Sequence, residues 1–283
     1  MLKTRLWMGS ILILLALGIT IVDGYLMPYA PILLITAVLA GFWSTREIIG
    51  LLPTKPHRAL TTFSVILVLL ANWIGPSLLL SPPWPYVIAA MTVVMLGTML
   101  FEASRFREPN GVVIRLAYTF WIVGYVGMLS SCFLQLRWLP GKASLTALLL
   151  GIFIPKMCDT FAYFTGRLVG RHRMTPILSP KKTWEGAAGG LAGAVLTTWI
   201  IQSWPGSYAL PLNAWQTVLL GLSVGLAGML GDLMESMIKR DCEAKDASQA
   251  MPGFGGLLDV LDSILFSAPI MYAWAYYCTK PSV

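Results

Sequence analysis

Histidine is nearly missing. Across 283 residues the chain has only His57 and His172, which excludes a histidine-rich zinc or iron site. Cysteine is scarce as well: Cys132, Cys158, Cys242 and Cys278 form no C-x-x-C pair. No zinc ribbon or dithiol redox motif is therefore available, and mostly apolar surroundings mark these cysteines as small buried hydrophobes. Charge is the third shortage. Asp, Glu, Lys and Arg make up 12% of the chain against 57% hydrophobic residues, about half the charged fraction of a soluble domain. A metal here would have to be a hard ion held by carboxylates, and only 13 Asp and Glu exist to hold it. No internal repeat and no low-complexity linker divides the chain.

What is abundant is apolar sequence in runs long enough to cross a bilayer, about 20 residues each. Repeated runs of that length suit helices and not barrel strands. The fold class is an all-α polytopic integral membrane protein of about nine transmembrane helices. Cut at proline, glycine and charge, the expected spans are 7–23, 29–44, 60–80, 85–101, 112–135, 145–166, 187–204, 214–238 and 261–279. The first run follows "MLKTRLW" without an obvious small-residue cleavage site, so it reads as a span and not as a signal peptide. With the N-terminus cytoplasmic, sixteen Lys and Arg fall on the cytoplasmic side. Only Arg137, Lys142 and Lys280 fall outside, and Lys156 lies within a span. This positive-inside bias places the N-terminus in the cytoplasm and the C-terminus outside. It also explains part of the net charge of +7 with no nucleic acid as partner.

The charges that remain in or beside the spans carry the functional signal, because a carboxylate at bilayer depth costs at least about 2.5–3.5 kcal/mol. Asp159 sits in "IPKMCDTFAYF" one turn after Lys156. Asp232 and Glu235 sit three apart in "GDLMES", and Asp259 and Asp262 three apart in "LLDVLDS". Residues three apart share a helix face. Lys156 and Asp159 also read as a neutralising ion pair, and Asp262 before Ser263 as a helix N-cap. Asp232 and Asp259 are different: no basic residue stands close to either on its own helix. Carboxylates clustered without matched cations suit a divalent ion, Mg2+ above all.

Two basic groups flank these acids. "SPKKTWEG" places Ser179, Lys181, Lys182 and Thr183 before a Gly-rich span, an arrangement suited to an anion at a helix N-terminus. Lys239, Arg240 and Lys245 form the second group. Either group could instead be positive-inside charge touching lipid headgroups. Acid for metal beside base for phosphate is the layout of phosphoryl or nucleotidyl transfer. "PGFGG" (252–256) adds a turn whose glycines allow backbone amides to approach an anion closely.

At this point the sequence resembles the phosphatidate cytidylyltransferase (CDP-diacylglycerol synthase) family. The stretch "SMIKRDCEAKDASQAMPGFGGLLDVLD" has the spacing of that family's signature throughout. "CDTFAYFTGRLVGRHRMTPILSPKKTWEG" and "GDLMESMIKR" also look like family motifs. The match is close over about residues 150–265. Two positions depart: Phe254 stands where the family usually has His, and Val260 where it usually has Arg, so no role of those residues carries over.

The resemblance implies Mg-dependent transfer of CMP from CTP to phosphatidic acid, giving CDP-diacylglycerol and pyrophosphate. It implies Asp232 and Asp259 as metal ligands, with Asp262 and Glu235 as further ligands or support, and leaves any second cation unnamed. Asp232, Asp259, Lys239 and Lys182 would be catalytic. Ser179, Lys182, Thr183, Lys239, Arg240, Lys245, Asp246, Gly255 and Gly256 would bind substrate. Residues 1–140 would be membrane helices for scaffolding, lipid access or dimerisation, and residues 141–283 the catalytic membrane helices. The site would face the cytoplasm from the inner membrane. Competing readings are an enzyme acting on another lipid phosphate or lipid alcohol, an inactive paralogue, and a small-solute transporter.

Overall fold

A computed structural model describes residues 14, 17–26, 29–77, 83–108, 111–140, 143–204, 209–251 and 255–279. The chain forms two compact units, one of Met1–Leu134 with Asp246–Leu258, the other of Gln135–Lys245 with Asp259–Val283.

In the first unit residues 17–25 are helical, and the expected span at 7–23 otherwise lies mostly outside the described residues. Asp23 is buried and caps the next helix, α1 (Pro31–Leu51). Its carboxylate accepts the N–H groups of Ile32 at 3.1 Å and Leu33 at 2.6 Å, two donors the helix leaves unpaired. Pro31 at the start needs no such partner. Helix α1 runs past the expected end at residue 44 because Ser44, Thr45 and Glu47 are buried against protein. Then come α2 (Arg58–Ser77), α3 (Trp84–Ser104) and α4 (Val112–Ile122), the last continuing through a π-turn (Val123–Met128) into α5 (Leu129–Gln135). Polar pairs link these helices: Asn72 donates to Ser131 Oγ at 2.9 Å, Thr61 and Thr119 hydroxyls meet at 3.3 Å, and Arg115 pairs with Glu102 at 2.7 Å.

In the second unit a single 3-10 turn (Leu136–Trp138) leads to α6 (Ala143–Val169). An antiparallel hairpin follows, β1 (Arg173–Thr175) and β2 (Ser179–Thr183), and then α7 (Trp184–Ser203) and α8 (Ala214–Asp241). Helix α9 (Leu258–Thr279) begins at the last residue of the first unit and otherwise belongs to the second. Glycines set the helix spacing here, as expected where helices pack without help from the hydrophobic effect. A Cβ at Gly190 of α7 would lie 2.8 Å from the Cys158 carbonyl oxygen of α6. One at Gly221 of α8 would lie 2.8 Å from Val195 Cα of α7, and one at Gly228 would lie 2.8 Å from Pro155 Cβ of α6. At the far end, Trp274 of α9 donates to Ser223 of α8 at 3.0 Å.

The molecule is thus a helical membrane protein. Among the described residues six helices are long and apolar enough to cross a membrane: Pro31–Leu51, Trp84–Ser104, Val112–Trp138, Ala143–Val169, Ala214–Asp241 and Leu258–Thr279. Arg58–Ile74 is a shorter apolar helix. Helix α7 exists where a span was expected at 187–204, but its four glycines dilute its apolar character, and it is not one of the six. The last helix begins at Leu258 and not at 261. Asp262 therefore lies one turn inside it and is not an N-cap, although its carboxylate accepts the Ser263 N–H at 2.6 Å.

Candidate active site

Four elements of the second unit bring the intramembrane charges together. Helix α8 presents Asp232, Glu235 and Lys239 at intervals of three and four residues, which stack on one face. Helix α9 presents Asp259 and Asp262, α6 presents Lys156 and Asp159, and β2 presents Lys182.

The expectation that Asp232 and Asp259 lack matched cations does not hold, because the cations come from other elements. Lys182 pairs with Asp232 at 2.8 Å. Lys239 pairs with Asp259 across the helices, and with Glu235 at 2.9 Å on its own helix. Lys156 does more than neutralise Asp159. Its ammonium lies 3.8 Å from Asp159 and 3.6 Å from Asp262, and donates to Ser263 Oγ at 2.7 Å. Five carboxylates thus face three ammonium groups, a formal excess of two negative charges with all groups ionised.

Three of the five carboxylates converge. Oxygens of Asp232, Glu235 and Asp262 all lie within 4.8 Å of one another. Glu235 is 1% exposed and Asp262 4%, and Glu235 Oε1 is a buried oxygen with no hydrogen-bond partner. A buried oxygen left unpaired is costly, and a hard cation would satisfy it. The donor set is all oxygen and the charge matches a divalent ion, so these residues fit Mg2+. Asp259 is not one of the three; its carboxylate is held by Lys239.

The remaining expected residues are placed less centrally. Ser179 is partly exposed at the start of β2. Thr183 is the N-cap of α7, its hydroxyl accepting the Gly186 N–H at 3.1 Å. Beside it, Glu185 accepts from the His172 ring at 2.5 Å and from the backbone N–H groups of Arg171 and His172. The His172 contact, with help from these amides, holds the Glu185 carboxyl down to about 2. Arg240 is exposed and donates to the Ala244 carbonyl at 3.3 Å, and Lys245 is exposed. Asp246, Gly255 and Gly256 belong to the other compact unit. There Met251 and Gly255 exchange backbone hydrogen bonds of 2.7 and 3.0 Å, and Gly255 adopts φ 96°, a value that favours glycine. Phe254 lies outside the described residues. Val260 is partly buried in the first turn of α9. Glu47, a lone acidic letter in "TREIIG", gives no spacing signal in the sequence.

Fold and site define a class: a helical membrane protein whose carboxylates and lysines converge in one half of the chain. The family follows from comparison. Residues 3–278 match the family described as the cytidylyltransferase family, and the chain belongs to it. It is 33% identical over 184 residues to the phosphatidate cytidylyltransferase of Staphylococcus epidermidis, covering 65% of this chain and 66% of that protein. It is 35% identical over 168 residues to the phosphatidate cytidylyltransferase of Bacillus subtilis, covering 57% and 61%. It is 45% identical over 120 residues to that of Synechocystis, covering 40% and 38%. The chain spans just under two thirds of the length of the first of these relatives.

Proposed function

We propose that the protein transfers CMP from CTP to phosphatidic acid, forming CDP-diacylglycerol and releasing pyrophosphate. The observation that carries this reading is the gathering of Asp232, Glu235 and Asp262 among lysines able to take phosphate, in a cluster whose five carboxylates outnumber its three ammonium groups by two. A phosphate oxygen of phosphatidate forms the new bond to the α-phosphorus of CTP, and the bond to the pyrophosphate oxygen breaks. The nucleophile is already ionised, so no general base is needed, and a phenylalanine at position 254 is compatible with the chemistry.

Asp232, Glu235 and Asp262 would hold Mg2+, joined by Asp259 once Lys239 leaves it for phosphate. When bound, that ion supplies positive charge to offset the nucleotide's phosphates. Lys182 and Lys239 exchange carboxylate for phosphate as partners, a change open to Lys182 because its side chain is 24% exposed. Arg240, Lys245, Ser179 and Thr183 complete the substrate contacts of this unit. The reading extends to nine spans with the N-terminus cytoplasmic and the C-terminus outside, a site facing the cytoplasm from the inner membrane, and a homodimer. Headgroup depth suits the reaction, since the acyl chains of substrate and product stay in the bilayer while CTP arrives from water.

The test is an assay of purified protein with phosphatidate, radiolabelled CTP and Mg2+, beside Asp259→Ala. Label entering lipid with wild type and not with the variant supports the reading. Folded wild type that incorporates no label overturns it.

A further inference from the structure

In the first unit Glu47 of α1 is 6% exposed and forms no ion pair among the described residues. Both its oxygens are committed to one short stretch of chain. Oε1 accepts the Ser248 hydroxyl at 2.6 Å and the Leu257 N–H at 3.0 Å, and Oε2 accepts the Leu258 N–H at 2.8 Å. The two amides stand at the start of α9, where a helix leaves its N–H groups without partners. Ser248 stands at the other end of the Gly-rich loop, so a single carboxylate ties both ends together. Gly256 makes room for this contact: a Cβ there would come 2.7 Å from Glu47 Oε2. The Met251–Gly255 bridge closes the loop between the ties.

A buried carboxylate without a cation is expensive unless hydrogen bonds replace its water, and here Ser248, Leu257 and Leu258 supply them. Resting on the reaction proposed above, we propose that Glu47 is a positioning residue for that reaction. It holds Ser248 and the Leu257–Leu258 amides in place, and so fixes the start of the helix whose next residue is Asp259. The sharpest competing role is stability alone, as for any buried cap.

Two readouts on the full-length protein in nanodiscs separate these roles: amide exchange of residues 255–258 by mass spectrometry, and kcat with varied CTP. Glu47→Ala is expected to speed exchange there about tenfold or more and to lower kcat roughly 10–100-fold. Glu47→Gln keeps one acceptor oxygen and should fall between on both. Asn72→Ala removes a buried hydrogen bond elsewhere in the same unit and should change neither. Unchanged exchange in Glu47→Ala, fast exchange with wild-type kcat, or the same losses in Asn72→Ala would each overturn the proposal. If Glu47→Ala does not fold, Ser248→Ala must give a smaller shift of the same sign, and no shift overturns it. A wild type without transferase activity refutes the reaction and with it the positioning role. The exchange contrast between Glu47→Ala and Asn72→Ala then still shows whether Glu47 holds the loop.

Discussion

Replacing Lys239 with methionine keeps the apolar stem and removes only the ammonium group. That group bridges Asp259 and Glu235, and the three side chains are 11%, 9% and 1% exposed in the order Lys239, Asp259, Glu235. Removing one partner of a buried ion pair costs about 3–5 kcal/mol, because the other charge is left in a poor solvent. The local excess grows from two negative charges to three. A divalent cation can supply what was lost, and a ligand at a hundred times its dissociation constant stabilises by about 2.7 kcal/mol. Thermal unfolding of the detergent-solubilised protein, followed by tryptophan fluorescence in EDTA and in millimolar Mg2+, reads both effects. Lys239→Met should melt well below wild type in EDTA and gain more from Mg2+. The double variant Glu235→Gln, Lys239→Met should recover part of the loss in EDTA and lose the extra Mg2+ response. Equal melting of Lys239→Met and wild type in EDTA, or equal Mg2+ gains, would refute the electrostatic account of the cluster.

Gly231→Ala puts a Cβ 2.7 Å from the Asp262 carbonyl oxygen. Overpacking of this kind costs about 1–3 kcal/mol and pushes Asp262 away from Asp232, so melting temperature and turnover should fall together; a variant that keeps both refutes the close approach of α8 and α9. Glu185 titrates near 2 in the folded protein against an ordinary 4.5. Its contribution to stability is therefore complete above pH 4.5 and disappears as pH falls toward 2. The stability difference between wild type and Glu185→Gln in acid titrations should shrink as pH falls from 4.5 toward 2, and a difference that widens on acidification contradicts the assignment.

Much of the site was legible as spacing. Acids three apart fall on one helix face whatever surrounds them, so Asp232 with Glu235 and Asp259 with Asp262 could be paired on their own helices from letters alone. What spacing could not show is who answers those charges across a gap. Lys182 reaches Asp232 from a hairpin, and Lys156 reaches Asp262 from α6; both contacts exist only once the helices are packed. Helix existence was similarly plain from apolar length, while boundaries were not. Helix α1 continues through Ser44, Thr45 and Glu47 because protein and not lipid faces them, and the start of α9 at Leu258 is set by the cap that Glu47 supplies. Glu47 itself left no trace in the sequence, since its partners are mostly backbone amides and carry no side-chain signature.

The glycine contacts of α6, α7 and α8 bring these helices nearly to main-chain distance. Side chains can change rotamer when a bilayer thickens or thins, but peptide backbone in contact cannot yield. Changes in lipid composition should therefore tilt or lift these three helices as a block, leaving the gap between Lys156 and Asp232 almost unaltered. On the proposed reaction, the cluster would then keep one geometry while a lipid product alters the membrane around it.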